Sequence, residues 1–263
     1  MLVFAAHTPH SPLLLESINK DQLDKVQKSR DAIQELADEL YAVHPDTILL
    51  LSEHPTIFPD AFSINLSDPY TFDVSDFGQL SHEKKLRPDI RLIDRMQRSL
   101  RAKGQSVTLH TDEALNYAAA VPVELLTERL PNVKLVPVSY SELDAKAHFQ
   151  FGQALKDVVM ESPKRIAIIA AGDLSHALTN ESPAEFSKDG LAYDEKIQEL
   201  ISTKNTTGLL RLEDEFVSNA KETNYKVLCM LFGLIERISV KPEILSYEAP
   251  FGVGYLNANF VIK

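Results

Sequence analysis

The chain has 263 residues, 44% of them hydrophobic, enough for one large core, and a net charge of −11 from acidic residues spread along it. Nucleic acid and anionic membrane surfaces reward clustered Lys and Arg, so this balance disfavours both and leaves a small ligand as the default partner. Cys229, the lone cysteine, rules out an intrachain disulfide and a cysteine-based zinc site and fits a reducing compartment, the cytoplasm. The N-terminus carries no basic region, and its apolar run breaks at His7, far short of the ~20 residues that span a bilayer, so no targeting or membrane segment is expected.

In chain order, Leu2 to Ala6 reads as a buried strand stopped by His7-Thr8-Pro9-His10-Ser11-Pro12, where two prolines forbid a helix. Asp21 to Val43 has helical periodicity with a charged outer face, and Thr47 to Ser52 reads as a central strand. Pro55 to about Pro88 is irregular, and a loop of that length is expected to wall or cover a site. Asp89 to Lys103 predicts a helix closed by Gly104, and Ser106 to Leu109 a short strand. Ala120 to Leu130 predicts a helix with Pro122 in its first turn, and Val133 to Val138 a strand. Leu143 to Met160 predicts another helix, and Arg165 to Ala170 the strand that delivers Asp173 and His176. Leu191 to Ser202, a short piece around Leu209 and Asp214 to Arg237 read as helical. Ile238 to Tyr247 and Gly254 to Ile262 read as strands at a sheet edge, antiparallel to each other. Strands alternating with helices predict an α/β fold, with residues 1–263 forming a single three-layer domain and a mainly parallel or mixed central sheet flanked by helices.

Three of the eight histidines, His10, His54 and His176, stand where an apolar strand ends, which is where open α/β sheets bind ligands. A lone histidine there is usually structural, but three together predict one shared site. His44, His82, His110 and His148 are given no role. Two imidazoles and a carboxylate on one face of a metal leave three positions open, the arrangement of non-haem Fe(II) oxygen chemistry. Asp173, Glu222 and Glu248 are the candidate carboxylates, and spacing does not choose among them.

The string His10-Ser11-Pro12-Leu13-Leu14 resembles the Ser-His-x-Pro opening of the class III extradiol ring-cleavage dioxygenases, the LigB-type superfamily, with Pro9 in place of the serine. Glu53-His54-Pro55 is similar to that family's Asp-His segment, and Gly172-Asp173-Leu174-Ser175-His176 to its Gly-Gly-Leu-Ser-His. The resemblance implies His10 and His54 as metal ligands and His176 as an uncoordinated acid/base. It also implies a ligand carboxylate at the start of a long apolar helix, a place that Glu222 occupies before Val227 to Leu231. The implied cofactor is Fe(II), which zinc can replace in purified protein; the implied partners are a catecholic aromatic substrate and O2, and a homodimer is compatible with the family.

Where many members carry Asp-His-Gly, this chain has Asn116-Tyr117-Ala118, and a tyrosine hydroxyl does not shuttle protons near pH 7 without a large pKa shift. The segment from Tyr247 to Tyr255 is similar to the Memo-like branch, so a Memo-like binding protein and a zinc hydrolase stand as alternatives. Glu248 is expected to cap or face solvent, His7 either to orient His10 or to pack, and Asp173 to orient His176 or cap a turn. Tyr117 either lines the pocket or packs. Ser175 is discounted as a nucleophile because no Gly-x-Ser-x-Gly elbow surrounds it.

Overall fold

In a computed structural model, which describes residues 1–74, 77, 84–112 and 114–263, nine strands form one mixed sheet. The strands are β1 (Leu2–Thr8), β2 (Thr47–Ser52), β3 (Phe62–Asn65), β4 (Arg87–Pro88), β5 (Val107–His110), β6 (Lys134–Ser139), β7 (Ile166–Ala171), β8 (Val240–Glu248) and β9 (Tyr255–Ile262). Their order is β5-β3-β6-β2-β7-β1-β9-β8, with β4 also on β6. Neighbours from β6 through β2 and β7 to β1 run parallel, whereas β9 is antiparallel to both β1 and β8. His82 and part of the Pro55 to Pro88 stretch lie outside the described residues.

Alternation along the central strands builds the layers. Leu49, Leu51, Ile168 and Ala170 point into a core with α2 (Ile90–Ala102), α4 (Ala145–Glu161) and α8 (Tyr225–Leu234). Ile48, Leu50, Ala167 and Ile169 point oppositely, against α1 (Gln27–Ala42) and α3 (Tyr117–Leu126). Because both faces are covered, β2 and β7 are buried at every residue, which is why they read as unbroken apolar runs. The remaining helices, α5 (Lys188–Ser202), α6 (Thr206–Leu209) and α7 (Asp214–Ala220), lie between β7 and α8 in the chain.

Several boundaries differ from the sequence expectations. The Pro55 to Pro88 stretch contains β3 and β4, short strands whose few residues give little periodic signal. Helix α3 begins at Tyr117 and ends at Leu126, so Pro122 lies inside it rather than in its first turn. The run from Asp214 to Arg237 is two helices, because Lys221 turns left-handed (φ 54°) and ends α7. Glu222 falls in that break. Among the described residues, no helix is long and apolar enough to cross a membrane.

Candidate active site

Parallel β1, β2, β6 and β7 end on the same side of the sheet, at Thr8, Ser52, Ser139 and Ala171, and the residues that follow them supply most of a polar cluster. Asp173, just past β7, accepts the backbone N–H of His10 on Oδ1 at 2.9 Å. Its Oδ2 stands 3.7 Å from Nε2 of His10 and 3.7 Å from Nε2 of His176. Burial pushes the Asp173 carboxyl up to about 6, opposed by the charge of His176 and by the backbone amides of His10 and Ser11. Asp173 therefore both holds the turn after β1 and faces His176.

The Glu222–Asn224 segment lies across the end of β7. Gly172 permits this close approach, since a Cβ there would meet the Thr223 carbonyl oxygen at 2.6 Å and the Asn224 Cα at 2.7 Å. The Thr223 hydroxyl accepts from the Asp173 N–H at 2.9 Å and lies 3.2 Å from His10 Nε2. The other ring nitrogen of His10, Nδ1, is buried with no hydrogen-bond partner among the described residues. Burial drops the His10 imidazole to about 4, with the charge of Glu53 acting against the shift. His176 donates Nδ1–H to the Lys221 carbonyl at 2.9 Å, since a carbonyl can only accept, and the neutral ring then carries its lone pair on Nε2.

Glu222 accepts the backbone N–H groups of Asn224 and Tyr225 on Oε2 at the start of α8, and burial nevertheless pushes its carboxyl up to about 7. It also lines a cavity of about 310 Å³ with Ile57, Tyr140, Glu142, Thr223 and Lys226. Glu53 accepts from the hydroxyls of Tyr117 at 3.0 Å and Tyr140 at 3.3 Å, while the Tyr117 ring meets His10 edge-on at 5.5 Å. Tyr117 thus lines the cluster, and burial followed by the Glu53 charge raises its hydroxyl pKa well above the ordinary value.

His54 faces a different set of partners. Its Nε2 is 2.7 Å from Asp112 Oδ2, and that oxygen is also 3.0 Å from His110 Nδ1 and accepts from Asn65 Nδ2 at 2.7 Å. Among the described residues, the ligand atoms that all lie within 4.8 Å of one another are those of His54, His110 and Asp112, not those of His10, His54 and Glu222. The structure therefore brings His10, Asp173 and His176 together, sets Glu222 beside Thr223, and turns His54 toward His110 and Asp112. Imidazole and carboxylate donors suit a divalent transition metal, and the unpartnered His10 nitrogen is an atom that a bound group would satisfy, so the donor chemistry fits the implied ion.

The remaining residues resolve into structural roles. Glu248 accepts the Ser29 N–H at 2.7 Å in the first turn of α1, a cap as expected. His7 donates Nδ1–H to the Leu256 carbonyl at 3.1 Å and packs within the sheet. His148 bridges the Asp144 carbonyl and the Ser141 N–H. Ser175 is buried and its hydroxyl accepts from the Ala177 N–H. Sequence reading passed over Glu53, Tyr140, Thr223, His110 and Asp112. The available signals were Glu53 next to His54 and the His110-Thr111-Asp112 string at a strand exit.

Comparison with known proteins supplies the lineage. A crystal structure of an uncharacterized protein, JW3007 from Escherichia coli K12, superposes with a TM-score of 0.67 at 17% identity, covering 98% of this chain and 99% of that one, a likeness of fold. The protein CA_C1420 of Clostridium acetobutylicum is 25% identical over 256 residues, 94% of this chain and 55% of its own length, so the chain spans about half of the curated relative it matches. The family model for the catalytic LigB subunit of aromatic ring-opening dioxygenase matches residues 4–258, nearly the whole chain, and the protein belongs to that family.

Proposed function

We propose that the protein is a cytoplasmic, non-haem Fe(II)-dependent extradiol dioxygenase that opens a catecholic aromatic ring with O2. The carrying observation is the meeting of His10, Asp173 and His176 at the ends of β1 and β7 in a chain of this family. Family resemblance assigns the ion to His10, His54 and Glu222; when bound, it would chelate the two catechol oxygens and bring O2 and the ring into electronic contact.

The protein's own groups handle binding and protons. The cavity walled by Ile57, Tyr140, Glu142 and Lys226 opens beside Thr223 and is the place for the aromatic ring. His176, with its Nδ1 proton committed to the Lys221 carbonyl, accepts a substrate hydroxyl proton on Nε2. The resulting imidazolium faces Asp173 Oδ2 at 3.7 Å, and the proton is later returned to product. Tyr117 holds its proton on Glu53 and acts as a wall rather than an acid.

Anaerobic loading with Fe(II), followed by oxygen uptake across a panel of catechols, tests this reading. Stoichiometric oxygen consumption with a ring-opened product is expected. Bound iron without uptake on any catechol would defeat it.

A further inference from the structure

We infer that His54, His110 and Asp112 form a binding site for a divalent first-row transition ion, separate in two of its three ligands from the set that the family resemblance assigns. The site stands at the exits of two strands: His54 follows β2, His110 ends β5, and Asp112 lies two residues beyond it. Both imidazoles aim a nitrogen at the same carboxylate oxygen, with His54 Nε2 at 2.7 Å and His110 Nδ1 at 3.0 Å from Asp112 Oδ2, and the rings are 4.6 Å apart between centroids. The three side chains are only 11%, 17% and 28% exposed. Two imidazoles and one carboxylate suit Zn, Fe and neighbouring ions, whereas Mg and Ca prefer all-oxygen shells.

The surroundings are those of a supported metal site. A histidine that ligates through Nε2 needs its proton on Nδ1 and a carbonyl to receive it. Both the Thr56 N–H, at 3.0 Å, and the Thr56 carbonyl, at 3.1 Å, face His54 Nδ1, and the carbonyl receives the Nδ1 proton in the tautomer that ligates through Nε2. Asn65, which pairs with His110 in the β3–β5 register, donates to Asp112 Oδ2 at 2.7 Å and fixes the carboxylate. Ser67 clamps the Asp112 backbone from both sides, its hydroxyl donating to the carbonyl at 2.6 Å and accepting from the N–H at 3.0 Å. Ligand, orienting carbonyl and carboxylate support are all present without a rearrangement of the strands.

His54 is shared with the set assigned from resemblance, so one ion at a time can use it. The inference concerns ion binding alone and does not rest on oxygen chemistry. Anaerobic titration with Co2+, followed by its visible absorption and by competition with Zn2+, reads the site in the intact chain. Because the set assigned by resemblance would also hold an ion, the variants are compared in a chain carrying His10→Ala and Glu222→Gln, which is expected to keep Co2+ binding; there His110→Ala and Asp112→Asn are each expected to weaken it at least about tenfold, and Asn65→Ala by about ten- to a hundredfold. Wild-type affinity in both His110→Ala and Asp112→Asn would overturn the inference. So would loss of Co2+ binding in the folded His10→Ala, Glu222→Gln chain itself, which would move the ion to the other set. Circular dichroism of each variant separates ligand loss from unfolding. Ion binding by this group with no oxygen uptake on catechols leaves the inference intact and defeats the dioxygenase reading.

Discussion

His176 donates its Nδ1 proton to the backbone carbonyl of Lys221 at 2.9 Å, so the residue that ends α7 fixes which nitrogen of the histidine is basic. A left-handed turn at Lys221, φ 54°, aims that carbonyl back at the ring. Replacing His176 with Ala removes the Nε2 base and the hydrogen bond to the Lys221 carbonyl. The expected result is a fall of about 10²–10⁴ in kcat with Fe(II) affinity unchanged, read by oxygen uptake and metal analysis. Loss of the ion in this variant would make His176 a ligand and end its assignment as acid/base.

Glu53 joins the cluster through Tyr117 and Tyr140, and its charge is the opposing influence on the burial-driven fall of the His10 pKa. Glu53→Gln removes that charge while keeping an acceptor for the two hydroxyls. The His10 imidazole is expected to titrate below about 4 in the metal-free variant, measured by the ring-proton shifts in NMR against pH. An unchanged titration would show that Glu53 is screened from His10.

How much of this was legible in the sequence depended on whether the signal was local. The parallel centre of the sheet could be read from β2 and β7, since burial on both faces leaves an unbroken apolar run. Lys221 was not readable as a helix end, because nothing in its side chain announces a positive φ and the helical pattern continues on either side. In the site, His10 and His176 could be picked out because each follows an apolar strand. Their convergence on Asp173 depends on the parallel pairing of β1 with β7. His110 was given no role because its strand, β5, is four residues long and only half-buried beyond Val107, so its exit looked like any polar loop. The contact between His54 and Asp112 spans 58 residues, a separation at which spacing carries no information.

Gly172 is the position where backbone, rather than side chains, sets the site. A methyl group there meets two backbone atoms of the Thr223–Asn224 segment, at 2.6 and 2.7 Å, and these cannot rotate away as a flexible side chain would. Gly172→Ala is therefore expected to cost about 1–3 kcal/mol in urea denaturation and to push Thr223 off the Asp173 N–H, lowering kcat well beyond the stability loss. Wild-type stability and turnover together would mean that the segment is looser than its hydrogen bonds imply.

Asp194 gives the fold a pH dependence of defined sign. Its carboxylate accepts the Ser175 N–H at 2.8 Å and the Tyr247 hydroxyl at 2.8 Å, yet burial outweighs both and pushes its pKa up to about 7. An unfolded Asp ionises near about 3.9, so between that value and about 7 the folded state binds more protons than the unfolded one, and stability falls as pH rises through this window. Below the window both states are protonated and above it both are ionised, so the contribution is flat at either end. Asp194→Asn keeps an acceptor for Ser175 and presents an amide to the Tyr247 oxygen, without a titrating proton. The variant is expected to reduce the downward slope of unfolding free energy against pH by up to about 1.4 kcal/mol per pH unit within the window, measured by urea denaturation from pH 4 to 8. Asp173 and Glu222, raised by burial in the same direction, keep part of the slope in the variant. A slope identical to that of the parent would mean that Asp194 is already neutralised by its two donors or reached by water, and that burial does not govern its ionisation.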